Sequence, residues 1–289
     1  MDLRALAMGL AFALMWSSAF TSARIIVADA PPLTALALRF LISGLIGLAI
    51  ARWQGQSLRL TRAQWRGVVI FGLCQNALYL GLNFVAMVRI EAGLASIIAS
   101  TMPLIVAALG WAVWGQRVRP LGLAGLVAGF AGVAVIMGAR LTVGVDPLGL
   151  VLCTLGALAL AVATLTVRSA TAGGNLMAIV GLQMLVGAVS LGLAALVLER
   201  GAPITLSAPL AWAFAYTTLV PGLLATWVWF VLVRRIGAVR AAAFHFLNPF
   251  LGVATAALIL GEALTIWDGL GVVVITLGIL AVQLDRARV

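Results

Sequence analysis

The chain has 289 residues, of which 64% are hydrophobic and 9% charged, and its mean hydropathy is +1.20. A chain this apolar lacks the polar surface that a water-soluble domain needs, so the composition predicts an integral membrane protein. The net charge of +10 comes from 18 basic residues, all of them Arg. In this class of protein we interpret the positive charge as a topology signal rather than as a nucleic-acid footprint.

Short polar segments divide the chain into apolar stretches near the ~20 residues that a helix needs to cross a bilayer. The longest connector, 52–66, leaves no room for a soluble domain. The first stretch is too long for a signal peptide and has a partner in the repeat described below, so we keep it as a span. The ten predicted spans are 4–27, 33–51, 67–88, 92–114, 119–138, 147–168, 177–198, 209–232, 238–260 and 265–284.

The first two spans carry the first candidate site residues. Trp16, Ser17 and Phe20 share one helical face near the middle of span 1. Trp16 is either a wall on which a flat substrate stacks or a core residue. In span 2, Arg39 either meets a substrate carboxylate or extends towards the membrane surface, whereas we expect Arg24, at the end of span 1, to extend outwards.

Spans 3 and 4 continue the polar face. Asn76, Tyr79 and Asn83 recur at i, i+3 and i+7 in span 3 and predict one stripe facing a cavity. In span 4, Ser96 and Ser100 are candidates either for substrate binding or for helix packing, because interhelical hydroxyl hydrogen bonds are common in membranes. We therefore expect spans 1, 3, 4 and 9 to line a common interior.

Proline and glycine interrupt the later spans. Pro221 and Gly222 break span 8, while Pro103 and Pro249 occupy corresponding positions in spans 4 and 9. A proline removes a backbone donor and frees a carbonyl one turn earlier, so we predict that these residues, together with Arg39, act as hinges or gates.

Span 9 contains the stretch FHFLNPF, with the sole histidine, His245, followed by Asn248. His245 is a candidate for holding a polar group of the substrate or for carrying a proton, and the alternative is a packing histidine. The other eight Trp lie near span ends or in loops and are typical of an aromatic belt: Trp53, Trp65, Trp111, Trp114, Trp212, Trp227, Trp229 and Trp267.

The acidic residues all lie at span ends or in loops, and no metal-ligand cluster, paired acids or Ser/His/acid set occurs at a shared depth. We therefore predict no enzyme activity, no metal and no cofactor. Cys74 and Cys153 are interpreted as small buried hydrophobic residues. A retinal-type receptor is excluded because a Schiff base needs Lys, which this sequence lacks.

Arginine is distributed unequally between the two sides of the predicted membrane. Arg89, Arg140 and Arg200 fall on the side opposite the amino terminus, and Arg24 and Arg39 lie inside spans. All the other Arg fall on the side of the amino terminus. The positive-inside rule then places both termini in the cytoplasm.

The two halves of the chain align with each other. A shift of 146 residues places Pro103 on Pro249 and Gly125 on Gly271, and a shift of 144 places Arg39 on Gln183. Five spans per half give the halves opposite orientations, and the charge bias of equivalent loops reverses accordingly. We therefore predict two units, 1–142 and 143–289, in an inverted repeat of the kind that alternating-access transporters use.

The motifs WSSAF at 16–20, LRF at 38–40, the Pro103/Pro249 pair and GE at 261–262 resemble the drug/metabolite transporter superfamily in its ten-helix form with two EamA-type repeats. One departure is Gln116, where the family usually has the Glu that survives as Glu262. The chain also resembles the YddG-like exporters of aromatic amino acids. This resemblance implies an all-α membrane fold around a central cavity and export of amino acids.

The leading prediction is a multi-pass transporter of the bacterial inner membrane that exports aromatic or neutral amino acids by alternating access. The alternative is an exporter of drugs, nucleobases or nucleotide-sugar-like solutes, and a membrane receptor or sensor is more remote. The expected partners are a small-molecule substrate and the lipid bilayer, without nucleic acid, and the expected assembly is a monomer or weak homo-oligomer.

Overall fold

The computed structural model describes residues 3–114, 119–142, 144–166, 175–236 and 243–286, and the regular structure within them is helical. The start of the ninth predicted span, at 238, and Gln116 lie outside these residues. The helices are α1 (Leu3–Asp29), α2 (Pro32–Trp53), α3 (Arg62–Phe71, Gly72–Leu80 and Gly81–Ala86), α4 (Ala92–Ala99), α5 (Met102–Trp114), α6 (Pro120–Thr142), α7 (Pro147–Thr166), α8 (Leu176–Leu198), α9 (Ala208–Thr217, Thr218–Leu224 and Ala225–Ile236), α10 (Ala243–Leu247 and Asn248–Leu260) and α11 (Ile266–Arg286).

Eight stretches of the described chain are long and apolar enough to cross a membrane, with α4 and α5 together forming one of them. Two shorter apolar helices, Asn248–Leu260 and Ile266–Val282, coincide with the ninth and tenth predicted spans. The predicted all-α integral membrane fold is confirmed, while the count of ten spans stays a prediction.

Two spans contain a π-helical segment at their centre, Gly72–Leu80 in α3 and Thr218–Leu224 in α9. Under the 146-residue shift these segments fall on each other. Pro221 lies inside the second segment and cannot donate a backbone hydrogen bond, so it accounts for the irregular winding there. The break predicted around Pro221 and Gly222 is therefore present, and α3 carries an equivalent one.

Two other spans are broken at the aligned prolines. The chain leaves the α-helix at Ser100–Thr101, between α4 and α5, and Pro103 is the second residue of α5. In α10 a 3₁₀ turn, Ala243–Leu247, precedes the α-helical part, and Pro249 is the second residue of that part. Proline is well tolerated in the first turn because its missing N–H has no intrahelical partner there.

Glycines allow the two halves of the chain to pack closely. A Cβ added to Gly125 of α6 would lie 2.7 Å from the carbonyl oxygen of Gly278 in α11, and one added to Gly132 would lie 3.2 Å from that of Gly271. The 146-residue shift places Gly125 on Gly271 and Gly132 on Gly278. It therefore turns one of these contacts into the other, as a local two-fold axis requires. Helix α2 packs against α8 in a similar way.

One end of the bundle is held together by side chains that cap or pair with neighbouring helices. We call it the capped end, defined by Glu199, Glu262 and Arg140. Glu199 accepts hydrogen bonds from the first amides of α2, and Glu262 accepts from Ala92 N (2.7 Å) and Gly93 N (2.8 Å) of α4. A carboxylate at a helix amino terminus accepts hydrogen bonds from backbone N–H groups that lack an intrahelical partner, and it is attracted to the positive end of the helix dipole.

Arg140 is the most connected charge at this end. Its guanidinium donates to both oxygens of Asp268, at 3.1 and 2.7 Å, and pairs with Glu91 at 2.9 Å. Nearby, Arg89 pairs with Asp146 at 2.6 Å. The hydrogen bond from Arg89 holds the pKa of the Asp146 carboxyl below its ordinary value. These contacts tie α4, α6 and α11 together at the capped end.

Candidate functional site

The central site lies where the middle of α1 faces the start of the α-helical part of α10. Ser17 Oγ donates to Asn248 Oδ1 at 3.3 Å, and Asn248 Nδ2 lies 3.0 Å from His245 Nδ1. Because the amide nitrogen is a donor, Nδ1 accepts and the proton of the neutral ring is assigned to Nε2. No described residue accepts a hydrogen bond from Nε2.

Three aromatic rings surround His245. The ring centroids of Trp229, Phe12 and Trp16 lie 5.0, 5.2 and 6.2 Å from that of the imidazole, and all three meet it edge to face. Such separations lie within the range in which aromatic pairs attract each other beyond simple burial. We call Phe12, Trp16, Trp229 and His245 the aromatic cluster.

The break in α10 explains why His245 occupies this position. His245 lies in the 3₁₀ turn Ala243–Leu247, three residues before Asn248. Residues three apart face the same way in a 3₁₀ turn, so both side chains point to the same side. Pro249 then starts a regular helix without losing an intrahelical donor. The segment FHFLNPF therefore gives up apolar positions to present an imidazole and an amide towards α1.

The polar stripe of α3 lies elsewhere. Asn76 Nδ2 donates to the carbonyl of Gln183 at 2.9 Å, and Asn83 Nδ2 donates to the carbonyl of Tyr79 at 2.8 Å. Cys153 Sγ also lies 3.3 Å from Asn83 Oδ1. All three stripe residues are buried, and these contacts direct them towards α7 and α8. The structure brings Asn76, Tyr79 and Asn83 together with one another but not with the aromatic cluster.

Ser96 and Ser100 of α4 are also buried. Ser96 Oγ has no hydrogen-bond partner and lies against Gly252 of α10, where an added Cβ would come within 1.8 Å of it. Ser100 Oγ donates to the carbonyl of Ser96 at 2.7 Å. In this structure Ser96 marks the close contact between α4 and α10, while Phe20 is part of the main apolar core.

The predicted hinge residues lie at the helix breaks. Pro103 and Pro249 begin helical segments, and Pro221 and Gly222 are buried in the π-helical part of α9. Arg39 lies beside this part of α9, because its Nε donates at 3.2 Å to the carbonyl of Thr217, the residue just before it, and a Cβ added to Gly222 would lie 3.6 Å from Nη2. Arg39 therefore points into the protein and not towards the membrane surface. Arg24 is half-buried and donates to the carbonyl of Met87.

A second polar group joins α1 to α9, closer to the capped end. Ser18 Oγ and Tyr216 Oη are 2.6 Å apart, and Thr217 Oγ1 donates to Ser22 Oγ at 2.7 Å. Along α1, Ser22 lies six residues beyond Trp16, or ~9 Å at the usual helical rise. Along α1 the described interior therefore has two layers: the aromatic cluster near Trp16 and, about 9 Å closer to the capped end, the hydroxyl groups around Ser22.

Sequence reasoning missed Phe12, Tyr216 and Trp229 as candidate site residues. Trp229 was expected in the aromatic belt, but it is half-buried in the aromatic cluster, whereas Trp227 is 49% exposed. Helical spacing could have predicted this difference. Trp229 follows Ala225 and Gly222 at i+4 and i+7 and therefore lies on the same face as they do, whereas Trp227, two residues earlier, lies on another side of the helix.

The described residues contain no group of three or more His, Cys, Asp or Glu that could hold a metal ion. Among the described residues that lie at the site, the ionisable side chains are His245, Tyr216 and Arg39. The arrangement is therefore suited to binding a solute through aromatic stacking, hydrogen bonds and one positive charge, and it presents no described set of residues for catalysis.

Comparison with known proteins gives a consistent picture. A model described as the EamA-like transporter family matches residues 3–138 and 147–284. The uncharacterized transporter YvbV of Bacillus subtilis is 27% identical over 253 residues, covering 88% of this chain and 83% of the relative. The uncharacterized inner membrane transporter YedA of Escherichia coli strain K12 is 28% identical over 273 residues, covering 92% and 87%.

A shorter match connects the chain to a protein with a stated substrate class. The aromatic amino acid exporter YddG of Ancylobacter novellus is 32% identical over 110 residues, 38% of each chain. A solved crystal structure superimposes over 100% of this chain and 99% of the other with a TM-score of 0.69 and 23% identity, which supports the fold.

Proposed function

Because the chain belongs to the EamA-like transporter family, we propose that it exports aromatic and related neutral amino acids across the bacterial inner membrane. The membrane transporter class follows from the family, while the substrate, the direction and the mechanism are our proposal. The mechanism that we propose is alternating access, with the halves 1–142 and 143–289 opening the central site to one side of the membrane at a time.

The aromatic cluster is the observation that carries this proposal. Phe12, Trp16 and Trp229 offer apolar ring surface around one polar side chain, and His245 supplies that hydrogen-bonding group, whose Nε2 has no described partner. Ligand sites combine such apolar walls with a few oriented polar groups. An aromatic amino acid supplies a ring for the walls and an ammonium and a carboxylate for the polar groups.

The placement of acidic residues supports transport without a buried carboxylate carrier. In the described residues the carboxylates lie at helix ends or in connectors, as Glu199, Glu262 and Asp268 do. A drug/proton antiporter that alternates one acid between drug and proton needs that acid at the site. We therefore propose facilitated export down the concentration gradient of the substrate.

A second candidate function is export of nucleobases or flat drugs. The same three rings that would stack on an aromatic side chain would stack on a base, so the aromatic cluster favours this candidate too. A nucleotide-sugar is less suited to this site. Its diphosphate needs several cationic groups, whereas Arg39 is the one arginine that the described residues place in the interior near the aromatic cluster.

Flux measurements on the purified protein test the proposal. We expect proteoliposomes that contain the full chain to exchange labelled tryptophan, phenylalanine or tyrosine at rates well above protein-free liposomes. Nucleobases measured in parallel provide the competing case. Flux of a nucleobase or drug without flux of any of the twenty amino acids would replace the leading proposal with the second one.

A further inference from the structure

We propose that Arg39 is a binding site for the carboxylate of the transported solute, located between the aromatic cluster and the capped end. This inference deepens the proposed function and rests on it for the identity of the solute. The sequence left two roles open for Arg39, and the structure removes one, because the side chain is 6% exposed and faces α9.

The hydrogen bonding of Arg39 is incomplete. Its Nε donates to the carbonyl of Thr217, and its guanidinium carbon lies 5.2 Å from the ring centroid of Phe40. Neither Nη1 nor Nη2 has a hydrogen-bond or ion-pair partner among the described residues. Four N–H donors of a buried cation are therefore left for a group that the protein does not supply.

These donors are not completely sealed by the protein. The buried side-chain atoms that are both sealed from solvent and unpartnered are Ser96 Oγ, Gln183 Oε1 and Thr276 Oγ1. The Nη atoms of Arg39 are not among them, so part of their surface stays accessible although the residue as a whole is 6% exposed. A Cβ added to Gly222 would lie 3.6 Å from Nη2, which places the open donors beside the broken part of α9.

The other arginines near the membrane interior are paired differently. Arg140 binds Asp268 and Glu91, Arg89 binds Asp146, and Arg24 donates to a backbone carbonyl. A charge inside a membrane is costly unless it is paired, and such residues therefore commonly mark a substrate path. Arg39 is buried and has no carboxylate partner among the described residues, so an anionic solute is best suited to pair with it.

The chemistry of the open donors selects a carboxylate. With Nε bound to Thr217, the two Nη groups present parallel N–H bonds that match the two oxygens of a carboxylate end-on. The neighbouring hydroxyls of Ser43 and Thr217 are already hydrogen-bonded to protein oxygens. One guanidinium without further cations suits a single negative charge better than a diphosphate.

The repeat gives an internal comparison for this site. The 144-residue shift places Gln183 at the position of Arg39. Gln183 meets the π-helical part of α3 through its backbone carbonyl, which accepts from Asn76 Nδ2, whereas Arg39 contacts α9 through its side chain. Both positions therefore lie beside an interrupted helix of the other half, while the charge is present at one of them. A purely structural role would not need a cation at position 39.

Counterflow into proteoliposomes separates binding from packing. We expect Arg39→Gln to raise the KM for an aromatic amino acid about 10- to 100-fold, the range for losing a hydrogen bond to a charged group. We also expect Arg39→Lys to recover part of that loss. The wild-type protein should prefer the amino acid over its decarboxylated amine, and Arg39→Gln should abolish this preference. Ser43→Ala, which removes a hydrogen bond to the same part of α9, is the matched control and should keep both properties.

A binding measurement keeps the test independent of amino acid transport. At constant ionic strength, benzoate should raise the melting temperature of the wild-type protein, and benzamide or chloride should not. Arg39→Gln should lose the benzoate effect even if it remains fully folded. An unchanged KM and preference in folded Arg39→Gln would overturn the proposal, as would equal stabilisation by benzoate and chloride. Failure of amino acid flux with a retained benzoate effect would overturn the proposed substrate and leave the carboxylate site supported.

Discussion

His245 shows how a single residue acquires a role from its surroundings. A lone histidine in an apolar span has many possible functions, and its neighbours decide among them. Here Asn248 occupies Nδ1, three aromatic rings enclose the imidazole, and Nε2 has no described partner. The ring is therefore arranged as a neutral hydrogen-bond donor beside a stacking surface.

Trp229 provides a test at this scale because Trp227 lies two residues away on the other side of the same helix. We expect Trp229→Ala to raise the KM for aromatic amino acids by about 3- to 10-fold, the equivalent of one aromatic contact. Trp229→Phe should keep most of the affinity, because it keeps a ring. The measurement is concentration-dependent counterflow, normalised to folded protein.

Trp227→Ala is the control for this prediction. Its side chain is 49% exposed and has no place in the aromatic cluster, so its removal should leave the KM unchanged. If both substitutions lower the folded yield and neither changes the KM, Trp229 is a packing residue and the aromatic cluster loses its assigned role.

At the scale of elements, four spans are interrupted, and they form two aligned pairs. The π-helical segments of α3 and α9 coincide under the repeat, and so do the prolines that begin α5 and the α-helical part of α10. Irregular backbone at membrane depth is tolerated where it is enclosed by protein or lines a cavity. These breaks are consistent with the predicted hinge role of Pro103, Pro221, Gly222 and Pro249, which stays a prediction.

The contact of α4 with α10 can be tested through Gly252. We expect Gly252→Ala to destabilise the structure by about 1–3 kcal/mol, because the new methyl group would overlap Ser96 Oγ and Cβ. Ser96→Gly in the same protein removes both atoms and should recover at least ~1 kcal/mol of the loss. Thermal unfolding of the two single variants and the double variant in detergent gives the coupling.

Gly192 of α8 is the reference for this cycle, since nothing lies within 4 Å of the position that an added Cβ would take. Gly192→Ala should not destabilise the protein, because alanine favours the helix. Additive effects of Gly252→Ala and Ser96→Gly would contradict the described contact, because additivity is typical of residues that do not touch.

At the scale of the whole molecule, the two halves of the sequence are interlocked. Helix α2 packs on α8 and α6 on α11, so the closest glycine contacts join one half to the other. The segments 1–142 and 143–289 cannot separate as rigid units without breaking these contacts. A transport cycle that preserves them would instead bend α3, α4, α9 and α10 at their breaks, which refines the rocking motion that the repeat alone suggests.

Membrane orientation is the prediction that belongs to this scale. In a protein with Cys74→Ala and Cys153→Ser, we expect a membrane-impermeant thiol reagent to label Ala202→Cys in intact cells nearly completely. Ser57→Cys should be labelled only after the membrane is opened, because the excess of arginine places its loop in the cytoplasm. The reverse pattern would contradict the predicted orientation, in which both termini lie in the cytoplasm.

Much of the architecture could be predicted from the sequence because each feature has a local cause. Apolar stretches of about 20 residues predicted the spans, and proline predicted the breaks near Pro103, Pro221 and Pro249. The π-helical segment of α3 contains no proline and became visible in the structure. The α3 stripe was also predicted as a set, since helical spacing places Asn76, Tyr79 and Asn83 on one face. Their partners, Gln183 and Cys153, were not predictable, because periodicity does not say which helix a face meets.

The sequence by itself determined the membrane class, the positions of the breaks that contain proline and the residue types available at the site. Those follow from hydropathy, proline chemistry and helical phase, which act over a few turns of one helix. Only the tertiary structure decided that Trp229 and Phe12 join His245, that the α3 stripe turns towards α7 and α8, and that Arg39 keeps open donors. Such choices depend on which helices are neighbours, and that is set by packing between residues as distant in the chain as Ser17 and Asn248, which are 231 positions apart.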